Sequence, residues 1–118
     1  RPPLFQRVVA RIHDVNTVDN YGTTALMFAA LNNHLDVVIS LMNHPRIDLN
    51  VQQRHNNRTA LHCAVFNNHP AIVSQLLSDD KMDASLKDIY NNNTALKWAI
   101  DNGKAECVTI LRQHGAPE

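Results

Sequence analysis

A six-residue phrase occurs three times in this chain at equal steps of 35 residues: Thr24-Ala25-Leu26-Met27-Phe28-Ala29, Thr59-Ala60-Leu61-His62-Cys63-Ala64 and Thr94-Ala95-Leu96-Lys97-Trp98-Ala99. Self-similarity at a fixed period of roughly 20–50 residues marks an array of stacked units, none of which can bury its apolar face alone. The constraint extends to function. Stacked arrays present surfaces and seldom enclose an active site.

One unit can be read residue by residue from Thr24. Its hydroxyl suits an N-cap, accepting a bond from a free backbone N–H of the first turn. Leu26, Ala29 and Ala30 follow at helical spacing, and small Ala29 permits close approach of a neighbouring helix. The helix is expected to end at Asn32-Asn33, because Asn follows Gly as the residue that tolerates a left-handed C-terminal position. Gly103 stands in the third copy where Asn33 and Asn68 stand in the others. A second helix is predicted from Leu35 to about Asn43, with Val37, Val38, Leu41 and Met42 on one face. Ile72, Val73, Leu76 and Leu77 answer in the next copy. The last has Cys107, Val108 and Leu111, with Arg112 at the fourth position. Pro45 prevents the second helix from continuing. Each unit is therefore helix, tight turn, helix and long loop. Helices this short are marginal in water, so the array must be held by Leu26/Leu61/Leu96, Ala29/Ala64/Ala99 and Val38/Val73/Val108 packing between units.

Composition narrows the function classes. The chain has 118 residues, which suits one domain. Eleven Lys+Arg balance eleven Asp+Glu for a formal net charge of +0, so no global field draws nucleic acid or anionic membrane. No apolar run approaches the roughly 18–20 residues of a membrane span. Cys63 and Cys107 lie on predicted helices at core positions, which argues against a disulfide framework and for a reducing intracellular compartment. The paired Asn residues at 32–33, 56–57 and 67–68, and the triplet at 91–93, fit turn chemistry.

These motifs resemble the ankyrin repeat, over essentially the whole chain. Thr59, Leu61 and His62 match the family's Thr-Pro-Leu-His phrase, with Ala in place of Pro in all three copies. Asn32-Asn33-His34 and Asn67-Asn68-His69 match its inter-helix turn. Asp14-Val15-Asn16 and Asp48-Leu49-Asn50 match the close of a repeat, Asp19-Asn20-Tyr21-Gly22 the finger turn, and His114-Gly115-Ala116 the last close. The period of 35 exceeds the family's usual value of about 33. The additional residues fall after the second helix, at Pro45-Arg46 and Asp80-Lys81, and in fingers Val51–Arg58 and Leu86–Asn93, each one residue longer than Thr17–Thr23. The resemblance implies an all-α ankyrin solenoid of helix-turn-helix units whose fingers are long loops or β-hairpins. Residues 1–118 then form a single domain, with 1–16 a partial repeat and 17–50, 51–85 and 86–118 the repeats. Leu4, Phe5, Val8 and Val9 match second-helix positions with no first helix before them. That pattern, and a start without Met, read as a slice of a longer array or larger protein.

In the ankyrin family partners contact the finger tips and the concave face of the first helices. Carried over by position, the tips are Asn20, Tyr21, Arg54, His55, Ile89 and Tyr90, and the concave positions are Leu31, Asn32, Phe66, Asn67, Asp101 and Asn102. Phe66 stands out because that position is otherwise polar or variable. Phe28 and Trp98 share a repeat position with Cys63 and are expected to pack between helices. The seven histidines form no closing ligand set. The resemblance makes His34, His69 and His62 structural, and no metal or other cofactor is expected. Cys63, a histidine and an aspartate can be assembled on paper into a nucleophile site, but adjacent helix residues do not face each other, so no catalysis is expected. Asn16 and Asn50 fit the kind of Asn that is hydroxylated in ankyrin repeats; the third copy has Ser85.

The function so implied is recognition of a protein partner by an intracellular adaptor or targeting module, cytoplasmic or nuclear, present as a monomer or as part of a longer array. The alternatives are a regulatory segment of a larger enzyme or channel, and a microbial effector acting on host proteins in the host cytosol.

Overall fold

The computed structural model describes residues 14–118. The expected partial repeat, with Leu4, Phe5, Val8 and Val9, lies almost wholly outside them. The described residues contain six helices: α1 (Ala25–Leu31), α2 (Leu35–Met42), α3 (Ala60–Phe66), α4 (Pro70–Leu77), α5 (Ala95–Asp101) and α6 (Ala105–Gln113).

Each first helix starts where the Thr pattern places it. The hydroxyls of Thr24, Thr59 and Thr94 accept from the backbone N–H groups of Met27, His62 and Lys97 at 3.1–3.3 Å. Each ends on a left-handed residue, at Asn33 (φ 59°), Asn68 (φ 55°) and Gly103 (φ 68°). The N–H groups of His34, His69 and Lys104 then reach back to the carbonyls of Ala29, Ala64 and Ala99 at 2.9–3.0 Å. This six-to-one closure satisfies carbonyls that the helix end would otherwise leave unpaired. Pro70 occupies the first turn of α4, where its missing N–H costs nothing.

The helices stack in two layers. In one, α1 packs on α3 and α3 on α5; in the other, α2 packs on α4 and α4 on α6. The interior is the expected column: Leu26, Leu61, Leu96, Ala29, Ala64, Ala99, Val38 and Val73 are buried, whereas Val108 is only half-buried in the last repeat. The alanines matter because a larger side chain at these positions would hold the layers apart. Burial of each such Leu is worth about 1.5–3 kcal/mol.

The loops carry a second ladder that is polar. Asn16 Nδ2 donates to the Arg46 carbonyl, and Asn16 Oδ1 accepts from the Asp48 N–H, both at 2.8 Å. Asn50 repeats both bonds one unit on, to the Lys81 carbonyl and the Asp83 N–H at 2.8 Å. These two asparagines therefore lock successive repeats together.

The fingers are loops rather than hairpins; no strand is present among the described residues. One backbone bond closes each: Asp19 N–H to the Thr23 carbonyl, Gln53 N–H to Arg58, and Asp88 N–H to Asn93. The bond spans one residue more in the second and third fingers. Asn57 and Asn92 are left-handed, with φ of 56° and 57°, at the place that Gly22 holds with φ 78° in the shorter finger, and the third finger adds Asn91 at φ 62°. Asn is among the few L-residues that enter this region routinely. Successive fingers are tied by the Arg54 N–H to the Tyr21 carbonyl (3.0 Å) and the Ile89 N–H to the Asn56 carbonyl (2.9 Å), a pair of bonds related by the repeat period.

Candidate functional site

The six finger-tip residues, Asn20, Tyr21, Arg54, His55, Ile89 and Tyr90, are all exposed. Their apolar members are large: Tyr21 is 61% exposed, Ile89 57% and Tyr90 53%. The fold brings two of them together, the Tyr21 and His55 rings lying tilted with centroids 5.5 Å apart. An open cleft of about 360 Å³ lies beside this pair, between the first two fingers and α1. Its walls include Asp19, Tyr21, Thr23, Phe28, Leu31 and His55.

Phe28 reverses its expectation. Helix packing accounts for Trp98, which is half-buried against the core, but Phe28 is 49% exposed and presents its ring to the cleft. Trp98 is covered by the Phe66 ring of the preceding repeat, whereas Phe28 lines the cleft with Gln53, His55 and Asn56 of the second finger.

The concave residues divide. Asn32, Asn67, Asp101 and Asn102 are exposed, but each has a local partner. Asn32 and Asn102 donate back to the Phe28 and Trp98 carbonyls. Asn67 reaches the Leu31 carbonyl of the preceding repeat at 3.0 Å, and Asp101 pairs with Lys97 at 3.2 Å. Leu31 is half-buried against the core. Phe66 is not the open anchor its polar-position anomaly suggests. It is half-buried, 4.2 Å from the Trp98 ring and covered by the Arg58 guanidinium, whose carbon sits 4.0 Å from the Phe66 centroid.

Arg58 thus occupies, one repeat on, the groove that Thr23 leaves open. It lies 5.3 Å from the Tyr90 ring and 3.8 Å from Asp88 Oδ2. Asp88 is buried, with Oδ1 accepting from the Asn93 N–H at 3.0 Å. Arg58 Nε, Asp88 Oδ2 and Asn93 Oδ1 are buried without a hydrogen-bond partner among the described residues. This ion pair acts across space and leaves part of its polar capacity unused.

Of the three histidines expected to be structural, His62 and His69 are engaged, whereas His34 is exposed and its ring makes no hydrogen bond among the described residues. His62 Nδ1 receives the Thr59 N–H at 3.2 Å, completing a capping box, and Nε2 reaches the Asn93 carbonyl at 3.0 Å. His69 Nε2 meets the Leu31 carbonyl at 3.1 Å. Both cysteines are free and buried. Burial pushes the Cys63 thiol up to about 11 and raises that of Cys107 as well. At neutral pH Cys63 is a thiol beside a histidine whose two nitrogens are already engaged, which is the opposite of an activated nucleophile. Among the described residues no cluster of His, Cys, Asp and Glu could hold a metal ion, and no helix is long and apolar enough to cross a membrane.

A comparison with curated proteins finds no match. A family model described as ankyrin repeats (3 copies) matches residues 2–88 and 41–117, which together span nearly the whole chain. Arrays of this kind serve generally as protein-interaction modules. With the threonine-capped helix pairs, the left-handed inter-helix turns and the stacked alanine column already in place, that match makes this chain a member of the ankyrin-repeat family.

Proposed function

We propose that this chain recognises a protein partner through its finger tips and the adjoining first-helix face, as an adaptor or targeting module. The observation that carries the proposal is the open cleft between the first two fingers, with Tyr21 and Phe28 exposed beside it. Large rings at a rigid surface lose little conformational entropy on binding and supply much of an interface's affinity. The backbone ties between successive fingers support this reading, because they hold the tips in one arrangement before a partner arrives. A standard interface of about 800 Å² per partner would extend from this cleft to Ile89 and Tyr90. The balanced formal charge of +0 favours a protein partner over nucleic acid.

Affinity capture from a native lysate, with Tyr21→Ala/Phe28→Ala as the comparison, tests the assignment. The variant is expected to lose the captured partner and to keep its thermal unfolding midpoint. Equal capture by both forms would remove the first two fingers from the binding surface. Tyr90→Ala serves better than Phe66→Ala for the third finger, because Phe66 also packs on Trp98 and lies closer to Arg58, at 4.0 Å against 5.3 Å for Tyr90.

A further inference from the structure

The repeat makes its own argument about what fits the open cleft. Positions 35 residues apart occupy equivalent places, so Thr23 and Leu31 in the first groove correspond to Arg58 and Phe66 in the second. The second groove is filled from within: the Arg58 guanidinium lies against the Phe66 and Tyr90 rings and faces the Asp88 carboxylate. The first groove holds no guanidinium: Thr23 stands in place of Arg58 and accepts from Gln53 Nε2 at 2.8 Å, and Leu31, His55 and Gln53 stand where Phe66, Tyr90 and Asp88 hold Arg58. Its walls nevertheless carry the same kinds of group in different places. Phe28 and Tyr21 are the exposed rings, and Asp19 is the carboxylate. Asp19 Oδ1 accepts the Tyr21 and Thr23 N–H groups, both at 2.9 Å, which aims the carboxyl group from a fixed turn. Among the described residues no cation forms an ion pair with Asp19, although Arg54 is its neighbour.

We propose that the cleft between the first two fingers receives an arginine side chain from a protein partner, its guanidinium stacking on Phe28 and Tyr21 and facing Asp19, as Arg58 fills the equivalent groove of the next repeat. Arginine fits better than lysine because a planar, weakly hydrated guanidinium stacks on ring faces and a compact ammonium does so less well. The proposal rests on the protein-recognition reading above and adds the chemistry of the contacting residue.

The test is an amide-resolved NMR titration of the whole chain with acetyl-Gly-Arg-Gly-amide, set against the Lys and Leu tripeptides. Saturable shifts at Tyr21, Phe28 and His55 are expected for the arginine peptide, with the lysine peptide weaker by about tenfold. Thr23→Arg, which plants the side chain that the second groove already holds, is expected to abolish those shifts. Phe28→Ala, which removes an exposed ring, does the same should Thr23→Arg disturb folding. Equal binding of the three tripeptides, or arginine shifts confined to other surfaces, overturns the arginine assignment.

Peptides selected from a random library on the same chain separate this idea from the broader one. Arginine-bearing peptides displaced by Phe28→Ala support both. Peptides without arginine that still need Tyr21 and Phe28 overturn the arginine and keep the recognition surface. Peptides insensitive to every finger substitution overturn both.

Discussion

The Nε2 atom of His62 lies 3.0 Å from the carbonyl oxygen of Asn93, which closes the finger of the next repeat. The same ring caps its own helix through Nδ1, which accepts the Thr59 N–H. These two bonds require the neutral ring with its proton on Nε2. One side chain therefore joins the start of a first helix to the following finger, and it does so only while uncharged.

Acid should loosen the array through this residue. Burial holds the His62 pKa below its ordinary 6.5; the Asn93 carbonyl and Asp88 act against that, and Arg58 reinforces it. Below about 6.5 the unfolded chain binds a proton here that the folded chain resists. The stability it lends is thus full above that pH and is lost as pH falls from there toward the lowered folded value. Urea midpoints measured between pH 7.5 and 5, roughly spanning that window, should fall for the native chain. His62→Met, the residue at the matching place in the first repeat, should be less stable at neutral pH by about 1–3 kcal/mol and show a shallower acid slope. An unchanged slope would remove His62 from the titration.

Gly22 is needed for space as well as for conformation. It has φ 78°, and a Cβ there would lie 2.9 Å from the Arg54 backbone nitrogen and 3.0 Å from its Cγ. The finger-to-finger bond from Arg54 to Tyr21 passes this point. Gly22→Ala should cost about 1–3 kcal/mol and increase hydrogen exchange at the Arg54 amide. Asn57 and Asn92, at the same repeat position, adopt left-handed φ with a side chain present. Gly22→Asn therefore separates the two requirements: exchange at Arg54 that stays native-like in that variant would show that crowding is not the constraint.

Much of this was legible in the sequence for a simple physical reason. Thr caps, left-handed Asn or Gly and buried Ala act locally or by position in the repeat, so equal spacing in the chain becomes equal placement in space. The longer fingers were legible as insertions, but their course was not: fingers two and three close with bonds of equal span, yet only the third adds a left-handed residue, Asn91, to the one that each finger has. Phe66 is half-buried and Phe28 exposed, the reverse of their expected exposure, because exposure at a first helix depends on what the flanking fingers send over it. Arg58 covers the one, and nothing among the described residues covers the other. Such cross-repeat relations appear only when the chain is compared with itself, position against position, and not within a single repeat.

Asn50 should be worth more than its surface location suggests. Its side chain makes both a donor and an acceptor bond to the next loop, at 2.8 Å each. Ser85, at the same place in the third repeat, bonds only to Asp83 among the described residues. Asn50→Ala should lower stability by about 1–3 kcal/mol, and Ser85→Ala by less than about 1 kcal/mol. Chemical denaturation of the two variants checks the contrast. Equal losses would mean that the inter-repeat ladder adds nothing beyond the local turn.

Cys63 should resist alkylation in the folded chain. Its thiol is buried and raised to about 11, so the thiolate is scarce and reagents cannot reach it. Iodoacetamide at neutral pH is expected to modify Cys63 only as fast as the array opens, with full labelling in denaturant. Rapid labelling under native conditions would mean that the second repeat opens far more readily than its packing implies.

Arg58 should govern both stability and the optical signature of the second groove. Removing it leaves the Asp88 carboxylate buried beside an empty space, with Oδ2 unpartnered. Arg58→Ala should therefore cost about 3 kcal/mol, near the low end for stranding one member of a buried pair, because the arginine side chain is itself 29% exposed. Removing Asp88 as well should recover part of that loss, since no charge is then stranded. The single variant also uncovers Phe66, whose ring centroid lies 4.2 Å from that of Trp98, the chain's one tryptophan. Its fluorescence should shift to the red in the folded state of Arg58→Ala and remain shifted in the double variant, even as stability returns. Stability that does not recover on removal of Asp88 would assign the loss to stacking on Phe66 and Tyr90, not to the stranded charge.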